Sequence, residues 1–359
     1  MRTWIGLLVL LAAIAGLVLV ANHSDQVRTE AQGSDGLPPA MARSVAGTVA
    51  DAVERNFVFP ETAHRYAAKI RARAAAGAYD RLSSRDELAA LMTADLQSVA
   101  RDGHLGVLAR WPHPMDPPPA DAPPAIEEAR WLAPGIAYLR PTVFSGSARE
   151  VADVRRFLAD HGSAHTVIVD MRVHHGGGLA EMDEIFSALF ARPTRLAILE
   201  TRAGAEPTPF QAGPKLRPAP SPAGTSRLEH WALPGGASAL RHARLFVLTS
   251  RATVSAGEHF CFVLKRTGRA TLIGERTVGA GNYGGLRHIG EGMALFVPVG
   301  RTFDPDTGQG WEGRGVTPDL VVPARRALVE ALVRAGVARG EALRISDQVT
   351  AGRRRWPFS

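Results

Sequence analysis

The amino-acid sequence predicts an α/β protein whose core is preceded by a small helical domain. Three helical patterns of apolar residues fill the segment from Met41 to Arg101. Beyond residue 130, short apolar runs typical of buried strands alternate with further helical patterns, and this alternation predicts an α/β fold. A proline-dense stretch at 112–124 separates the two regions and is too short to fold on its own.

These changes of pattern divide the chain into segments. The chain has 359 residues, of which 45% are hydrophobic, so it can bury a full core. The expected segments are a targeting segment at 1–21, a helical domain at 40–101, a connector at 112–124, the main core at 130–340 and a basic tail at 341–359.

The N-terminal residues predict export. Trp4 to Ala21 form an uninterrupted apolar run between Arg2 and the polar residues 22–26. This pattern is typical of a signal peptide or of an N-terminal membrane anchor, and its length leaves cleavage and anchoring open. We expect the body of the protein to be extracytoplasmic, either periplasmic or secreted, and either free or anchored to the membrane by this segment.

The charge pattern argues against a nucleic-acid partner. The formal net charge is +7, and nearly all the positive charge comes from arginine. The arginines are scattered along the chain apart from 353–355, which predicts a solvated surface. The single cysteine, Cys261, excludes an intramolecular disulfide and is expected to be a packed core thiol.

Each element of the core has its own pattern. The expected order is a strand at Gly135–Arg140, a helix at Arg149–Asp160, a strand at Thr166–Asp170, a helix at Ala180–Phe190, a strand at Leu245–Leu248, a helix ending near Gly268, a strand at Ala270–Gly274, a hairpin of Leu286–Ile289 with Met293–Val299, and a helix at about Ala324–Ala335. Ala203–Gly236 is rich in Pro, Gly and Ala and is predicted to be a surface loop or lid.

Ser255 lies where a strand turns into a helix, and two interpretations of it remain open. Ser255 and Glu258 fit a capping box, in which the serine oxygen accepts a backbone N–H and the glutamate accepts another. The same helix start is also where a nucleophile would face N–H donors and a positive helix end. The motif alone does not distinguish a cap from a nucleophile.

Three other segments offer partners for a nucleophilic serine. A glycine triplet, 176–178, follows a buried strand and precedes a helix, so its free N–H groups can hold an oxyanion or simply form a turn. His104 follows the third helical pattern and is a candidate base or a solvated histidine. Glu312 lies among glycines and can orient a histidine or face water.

Taken together, these segments resemble the tail-specific, or C-terminal processing, serine protease family. The resemblance is to the branch that includes the interphotoreceptor retinoid-binding protein repeats and the tricorn protease core, and it covers about Ala40 to Val322. Six segments stand in family order: Asn56–Glu61, Asp102–Val107, Val169–Leu179, Leu248–Phe260, Ile273–Gly281 and Trp311–Asp319. The resemblance implies a crotonase/ClpP-like core of ββα units. No PDZ module is expected, because only the proline-dense connector lies between helices and core.

The resemblance also implies roles for individual residues. Ser255 falls on the family nucleophile, and the catalytic site is completed by His104 and Glu312, as in the tricorn-like branch. Gly177, Gly178 and Ala256 fall on the oxyanion hole.

The sequence departs from the family at two positions. Members that use a Ser/Lys dyad carry Gly-Lys-Gly where this chain has Gly279-Ala280-Gly281, so a dyad is not expected. Lys265 cannot replace that lysine, because ten helical residues place it about 15 Å along the axis from Ser255. Gly103 stands where the tricorn core has a further serine. His259, one turn after Ser255, is a rival base that matches no catalytic position of the family.

The expected function is that of an exported serine endopeptidase acting on peptides or unfolded proteins, with no cofactor and no metal. The alternative is a catalytically silent protein that binds an apolar ligand or peptide on the same fold. An α/β-hydrolase is disfavoured because Thr253 stands where its elbow needs glycine. A metal hydrolase is disfavoured because His174 and His175 are adjacent in sequence. The sequence leaves the oligomeric state open.

Overall fold

A computed structural model describes residues 37–111, 124–236 and 238–351. The apolar run at 4–21, most of the proline-dense connector and the arginines at 353–355 lie outside the described residues. Within the described ranges, no helix combines the length and the apolar character needed to cross a membrane.

The elements alternate as an α/β fold requires. In chain order they are α1 (Pro39–Asn56), α2 (Pro60–Ala75), α3 (Arg85–Val99), β1 (Gly106–Leu108), β2 (Ile126–Ala133), β3 (Ile136–Pro141), α4 (Ala148–Asp160), β4 (Thr166–Asp170), α5 (Ala180–Leu189), β5 (Thr194–Arg202), β6 (Leu216–Ala219), β7 (Thr225–Ala232), a 3-10 turn (Ala239–Arg241), β8 (Arg244–Thr249), α6 (Ala256–Arg266), β9 (Thr271–Gly274), β10 (Asn282–His288), β11 (Ala294–Phe303), β12 (Leu320–Val321), α7 (Ala324–Arg334) and α8 (Arg339–Ala351). The predicted core helices and strands are confirmed to within a few residues at their ends.

The first sheet is antiparallel and packs against the N-terminal helices. Its strand order is β1-β11-β5-β7-β6, and β10 pairs with β11 as the predicted hairpin. Alternate residues of β11, including Leu295, Val297 and Val299, join one apolar cluster with α1, α2 and α3. The three helices therefore share their core with this sheet and position the turn that follows α3.

The second sheet is covered by helices on both faces. Its order is β12-β9-β8-β4-β3-β2, with parallel pairing from β12 to β3 and an antiparallel edge at β2. Along β4, Val167 and Val169 pack towards α4, α5 and α6, whereas Ile168 packs towards α7 and α8. Successive strand residues point to opposite faces, so the continuous apolar runs in the sequence report burial on both sides.

The prediction that Ala203–Gly236 is a surface loop or lid was wrong. β6 and β7 lie in this segment, and β7 pairs with β5 along its whole length. Cross-strand ion pairs such as Arg227 with Glu200 stabilise the pairing. β7 is half-buried and rich in polar residues, so it lacks the apolar run that predicts a buried strand. The proline and glycine residues around it favour a loop.

The C-terminal part of the chain also carries more structure than composition indicated. The basic tail was expected from residue 341, but its described part belongs to α8. Ala342, Ile345 and Val349 are buried against α7 and the second sheet. Helical apolar spacing therefore continues past the last helix that the sequence predicted.

Asp170 joins the end of β4 to its surroundings through buried charges. It accepts hydrogen bonds from Tyr138 Oη at 2.6 Å, from Arg172 Nη2 at 2.6 Å and from Arg140 Nη1 at 3.3 Å. Burial opposes ionisation of this carboxyl, but the guanidinium groups of Arg172 and Arg140 outweigh it and hold the pKa of Asp170 well below its usual range. The carboxylate thus anchors the strand end from which the glycine run emerges.

We predict that Asp170→Asn lowers the free energy of unfolding at pH 7 by about 3–5 kcal/mol, because it leaves buried guanidinium charge uncompensated. Because the folded pKa is depressed, this contribution is present above the unfolded value of about 3.9 and is lost as the pH falls towards the folded pKa. The deficit should therefore narrow in urea titrations at pH 3. Asp80→Asn, which breaks a pair with the exposed Arg43, should cost less than about 1 kcal/mol. Equal losses in the two variants would contradict the assignment.

Candidate active site

The ends of two neighbouring parallel strands bring the glycine run and Ser255 together. β4 pairs with β8 in parallel, with Asp170 opposite Leu248, so both chains leave the sheet at the same edge. The N–H of Val254 donates to the carbonyl of His174 at 3.1 Å and links the two departing segments. This edge, at the carboxyl ends of parallel strands, is where open α/β sheets form their sites.

Ser255 does not have the backbone of an ordinary helix cap. Two other described helices, α3 and α4, begin with ordinary Ser-x-x-Glu caps at Ser84 and Ser147. These serines have extended backbones, and their side chains accept the N–H three residues on at 3.2 Å. Ser255 instead has φ 58° and ψ −120°, a region that non-glycine residues rarely occupy. Such strain is typical of sharp strand-to-helix turns that present a nucleophile.

The glycine run contacts the Ser255 side chain directly. A Cβ built on Gly176 would lie 2.9 Å from the Ser255 Cβ and 3.3 Å from its Oγ, and Gly176 has φ 106°. A larger residue at this position would collide with the serine and would also be strained. The glycine is therefore needed to let the backbone approach the hydroxyl.

The backbone of Phe144 holds this run and uses one of its predicted oxyanion donors. Phe144 donates its N–H to the Gly176 carbonyl at 2.9 Å, and the Gly178 N–H donates to the Phe144 carbonyl at 2.7 Å. A Cβ on Gly177 would lie only 2.1 Å from that same carbonyl. Because the Gly178 hydrogen is already engaged, the donors left for an oxyanion are the N–H groups of Gly177 and of Ala256, the first residue of α6.

Glu258 ties the Ser255 turn to the segment 277–282. Its carboxylate is buried and accepts the Ser255 N–H at 3.0 Å. It also accepts the Thr277 hydroxyl and the N–H groups of Gly279 and Ala280, at 2.5, 2.7 and 2.8 Å. Burial raises the pKa of Glu258, whereas these donors act in the opposite direction. The predicted capping glutamate is thus also the link between two loops.

His104 is a buried imidazole in a turn held by Asp102. The Asp102 carboxylate accepts the N–H groups of His104 and Leu105 at 2.8 and 3.0 Å, and its other oxygen accepts the Asn282 side chain at 2.8 Å. The His104 ring stacks on Phe296, and its Nδ1 has no hydrogen-bond partner among the described residues. Burial lowers the pKa of His104 and Asp102 opposes that shift, so the imidazole is neutral at pH 7.

Glu312 contacts the backbone beside His104. Its carboxylate accepts the N–H of Gly103 at 2.8 Å and those of Gly281 and Asn282 at 2.6 and 2.8 Å. Burial, followed by the nearby Asp102 carboxylate, raises the pKa of Glu312 to about 7. Glu312 therefore holds the histidine turn against the start of β10, and its carboxyl changes between the neutral and the ionised form close to pH 7.

The position of Ala280 explains one departure from the family pattern, the glycine at position 103. A Cβ on Gly103 would lie 2.6 Å from the Cβ of Ala280, so a serine side chain has no room where the tricorn core has one. Lys265 pairs with Asp319 at 3.0 Å and donates to the Thr317 carbonyl at 2.6 Å. Its ammonium group is thus engaged away from the serine turn.

The structure arranges the three predicted catalytic residues around one segment, 277–282. Ser255 is joined to it through Glu258, Glu312 bonds to it directly, and the turn that carries His104 packs against Ala280. Glu312 bonds backbone N–H groups there. A direct hydrogen bond between the Ser255 hydroxyl and the His104 ring is not among the contacts of the described residues.

Sequence reasoning missed two contributors to this arrangement. The resemblance assigns no role to Asp102, although an acid two residues before a histidine is typical of a turn closed by its own side chain. Phe144 carried no sequence signal, because its role depends on backbone atoms. The role of Asp102 could have been predicted from its spacing to His104, whereas the role of Phe144 could not.

Comparison with known proteins places the chain in a family. Residues 135–322 match Peptidase family S41, and residues 40–134 match the N-terminal domain of peptidase S41 in eukaryotic IRBP. The chain therefore belongs to peptidase family S41, which confirms the resemblance seen in the sequence.

Individual relatives agree with this assignment. The chain is 27% identical over 189 residues to a carboxyl-terminal-processing protease of Picosynechococcus, covering 52% of this chain and 39% of that protein. It is 34% identical over 82 residues to the chloroplastic carboxyl-terminal-processing peptidase 3 of Arabidopsis thaliana, covering 23% of this chain and 16% of that one. The chain thus matches less than half the length of these relatives.

A solved structure supports the fold. The crystal structure of a peptidase candidate from Parabacteroides merdae is similar to this chain with a TM-score of 0.55 and 15% identity. The similarity covers 85% of this chain and 98% of that one. At this identity the likeness shows a shared fold.

We predict that Glu258→Gln lowers the free energy of unfolding by about 3 kcal/mol, because the amide nitrogen would face N–H donors that the carboxylate now accepts. The matched control is Glu87→Gln, which alters the exposed glutamate of the ordinary cap at Ser84 and should cost less than about 1 kcal/mol. Urea denaturation of both variants measures the difference. A loss for Glu258→Gln no larger than that for Glu87→Gln would show that the link between the loops contributes little.

Proposed function

We propose that this protein is a serine endopeptidase in which Ser255 is the nucleophile, His104 the base and Glu312 the acid that supports it. The observation that carries the proposal is the strained Ser255 backbone, with the glycine run against its side chain. A simple helix cap needs neither feature, as the ordinary caps elsewhere in the chain demonstrate. Membership of peptidase family S41 supports the same chemistry.

In the proposed first step, neutral His104 takes the proton of the Ser255 hydroxyl while Oγ attacks the peptide carbonyl. The geometry requires the His104 ring or the serine side chain to move into hydrogen-bond distance when substrate binds, as is common between free and substrate-bound enzymes. Desolvation keeps the imidazole neutral and ready to accept a proton.

The imidazolium formed in that step would be costly in a buried site unless negative charge lies close by. Asp102, whose carboxylate accepts the His104 N–H, supplies that charge, and Glu312, which accepts the Gly103 N–H, adds to it in its ionised form. In this proposal Glu312 acts on His104 in two ways. It holds the backbone of the histidine turn, and its electric field stabilises the imidazolium. The imidazolium then gives its proton to the leaving amine, and a water molecule hydrolyses the acyl-serine ester with His104 again as base.

Charge on the carbonyl oxygen would be stabilised by backbone donors. The Ala256 N–H lies at the positive N-terminal end of α6, and the Gly177 N–H comes from the run fixed by Phe144. Both N–H groups lie in backbone that hydrogen bonds already hold, so the donors are in place before the charge develops. Gly178 is left out of this role because its N–H is bonded to Phe144.

We further propose that the substrates are exported peptides or unfolded proteins met outside the cytoplasm. The apolar N-terminal run supports export, and the names of the carboxyl-terminal-processing relatives support a polypeptide substrate. Anchoring by this run and cleavage of it are both compatible with the proposal.

The second candidate function is binding of an apolar ligand or peptide without turnover. It is favoured by the contacts of Glu312, whose two oxygens are taken up by three backbone N–H groups, and by the burial of His104. The match of residues 40–134 to the IRBP N-terminal domain is compatible with it. Stoichiometric ligand uptake that survives mutation of Ser255, His104 and Glu312 would favour this function.

We predict opposite stability effects at two serines of the same motif. Ser255→Gly removes the strain of φ 58° and should raise the free energy of unfolding by about 1 kcal/mol while abolishing hydrolysis. Ser84→Gly removes an ordinary cap and should lower it by a few tenths of a kcal/mol with hydrolysis unchanged. Urea denaturation and hydrolysis of a denatured protein measure both properties. Hydrolysis by Ser255→Gly or Ser255→Ala at the wild-type rate would exclude this nucleophile.

We predict that His104→Gln lowers kcat by about 100-fold to 10,000-fold, the usual contribution of a general base. The control is His64→Gln, which changes an exposed histidine paired with Glu54 on the helical region and should leave kcat unchanged. Steady-state hydrolysis of a peptide library measures both. If His104→Gln remains folded and as active as wild type, the base lies elsewhere.

A further inference from the structure

Three side chains outside the proposed catalytic site form a buried hydrogen-bonded chain. Asp183 Oδ1 lies 2.8 Å from His230 Nε2, and His230 Nδ1 lies 3.0 Å from His259 Nε2. His230 is fully buried and His259 nearly so. Sequence analysis considered His259 only as a rival base, and the structure shows that its ring is directed to another histidine.

This hydrogen-bonded chain connects α6, whose first residue is the proposed donor Ala256, to α5, the helix that follows the loop containing Gly177. Asp183 is in the first turn of α5, the helix that follows the glycine run. His259 is in the first turns of α6 and donates its backbone N–H to the Ser255 carbonyl at 2.9 Å. His230 comes from β7 of the other sheet and lies between them. The His259 ring also meets Trp311 edge-on, next to Glu312.

The hydrogen bonds determine the tautomers. Because a carboxylate only accepts, His230 donates Nε2–H to Asp183 and, when neutral, has its lone pair at Nδ1. His259 must then donate its Nε2–H to that lone pair. Burial, and then the neighbouring His230, holds the pKa of His259 well below its usual range, so this ring is neutral at pH 7. The hydrogen bonds from His259 through His230 to Asp183 require this neutral state of His259.

The charged side chains near these three residues form contacts with other groups. Among the described residues, Lys215 Nζ lies 3.9 Å from the other oxygen of Asp183. On α6, Glu258 faces the segment 277–280, and on β7 Glu229 bonds Arg195. The contact between the two imidazoles is therefore governed by their own protons and by Asp183.

We propose that His259, held by His230 and Asp183, is a positioning residue. It fixes α6, the helix that begins after Ser255, against α5, the helix that follows the glycine run. The inference rests on the proposed peptidase function. A hydrogen bond at the first turn of α6 controls where the Ala256 N–H and the Ser255 turn lie relative to Gly177. Displacements of about 1 Å in such a site cost on the order of 100-fold in rate, so a directional bond here matters more than apolar packing would.

Two substitutions of His259 separate positioning from simple packing. In His259→Gln, the amide nitrogen can reach the place of Nε2 and donate to His230, so kcat should stay within about three-fold of wild type. In His259→Leu, the bond is lost and His230 Nδ1 is left unpaired. We expect kcat to fall by about 10-fold to 100-fold with KM changed less than about two-fold.

The matched control is His161→Leu. His161 is also a buried histidine, bonded to the Phe157 carbonyl at 2.9 Å at the end of α4. It should lose comparable stability in urea titrations with no change in kcat. Equal kcat in His259→Leu and His259→Gln, or a fall in kcat for His161→Leu as large as for His259→Leu, would overturn the positioning role.

A readout that does not need turnover tests the inference independently of the proposed function. In the folded protein, the amide resonances of Gly177 and Ala256 should shift in His259→Leu and return towards their wild-type positions in His259→Gln. Resonances that stay unchanged in His259→Leu would overturn the inference even if the enzyme is active. If the resonances shift in His259→Leu but the wild-type protein hydrolyses nothing, the peptidase proposal is refuted and the positioning contact remains established.

Discussion

The buried carboxylate of Glu258 is the contact on which the geometry of the site depends. A carboxylate removed from water must find donors, and Glu258 finds them in two segments at once, the Ser255 turn and the loop 277–280. Neither segment can shift without leaving buried donors unpaired. Because Ala280 in turn packs against Gly103, the serine turn and the histidine turn are held by one continuous set of contacts.

The two sheets contribute different parts of this arrangement. The parallel sheet places the glycine run and Ser255 at adjacent strand ends, where two helices begin. The antiparallel sheet supplies Phe296, on which the His104 ring stacks, and His230, which joins the two helices. The site therefore lies where the sheets meet, and the N-terminal helices act on it through the core they share with β11.

Local sequence accounts well for elements and less well for roles. The strand ending at Asp170, the helix after Ser255 and the hairpin at 290–292 were predictable because their apolar periodicity and turn residues are local. The strand β7 was not, because long-range pairing and cross-strand ion pairs stabilise it. The Ser-x-x-Glu motifs that begin α3, α4 and α6 look alike in sequence, yet among these three serines only Ser255 has a positive φ, owing to its contacts with distant segments.

The sequence by itself determined the order of the elements, the candidate residues Ser255, His104 and Glu312, and the family to which the chain belongs. Tertiary structure alone decided which groups are free to act. It engages the Gly178 N–H with Phe144 and directs Glu312 to backbone donors. The physical reason is that each of these hydrogen bonds joins segments that are far apart in the chain. The periodicity of one segment carries no information about its hydrogen-bond partner in another.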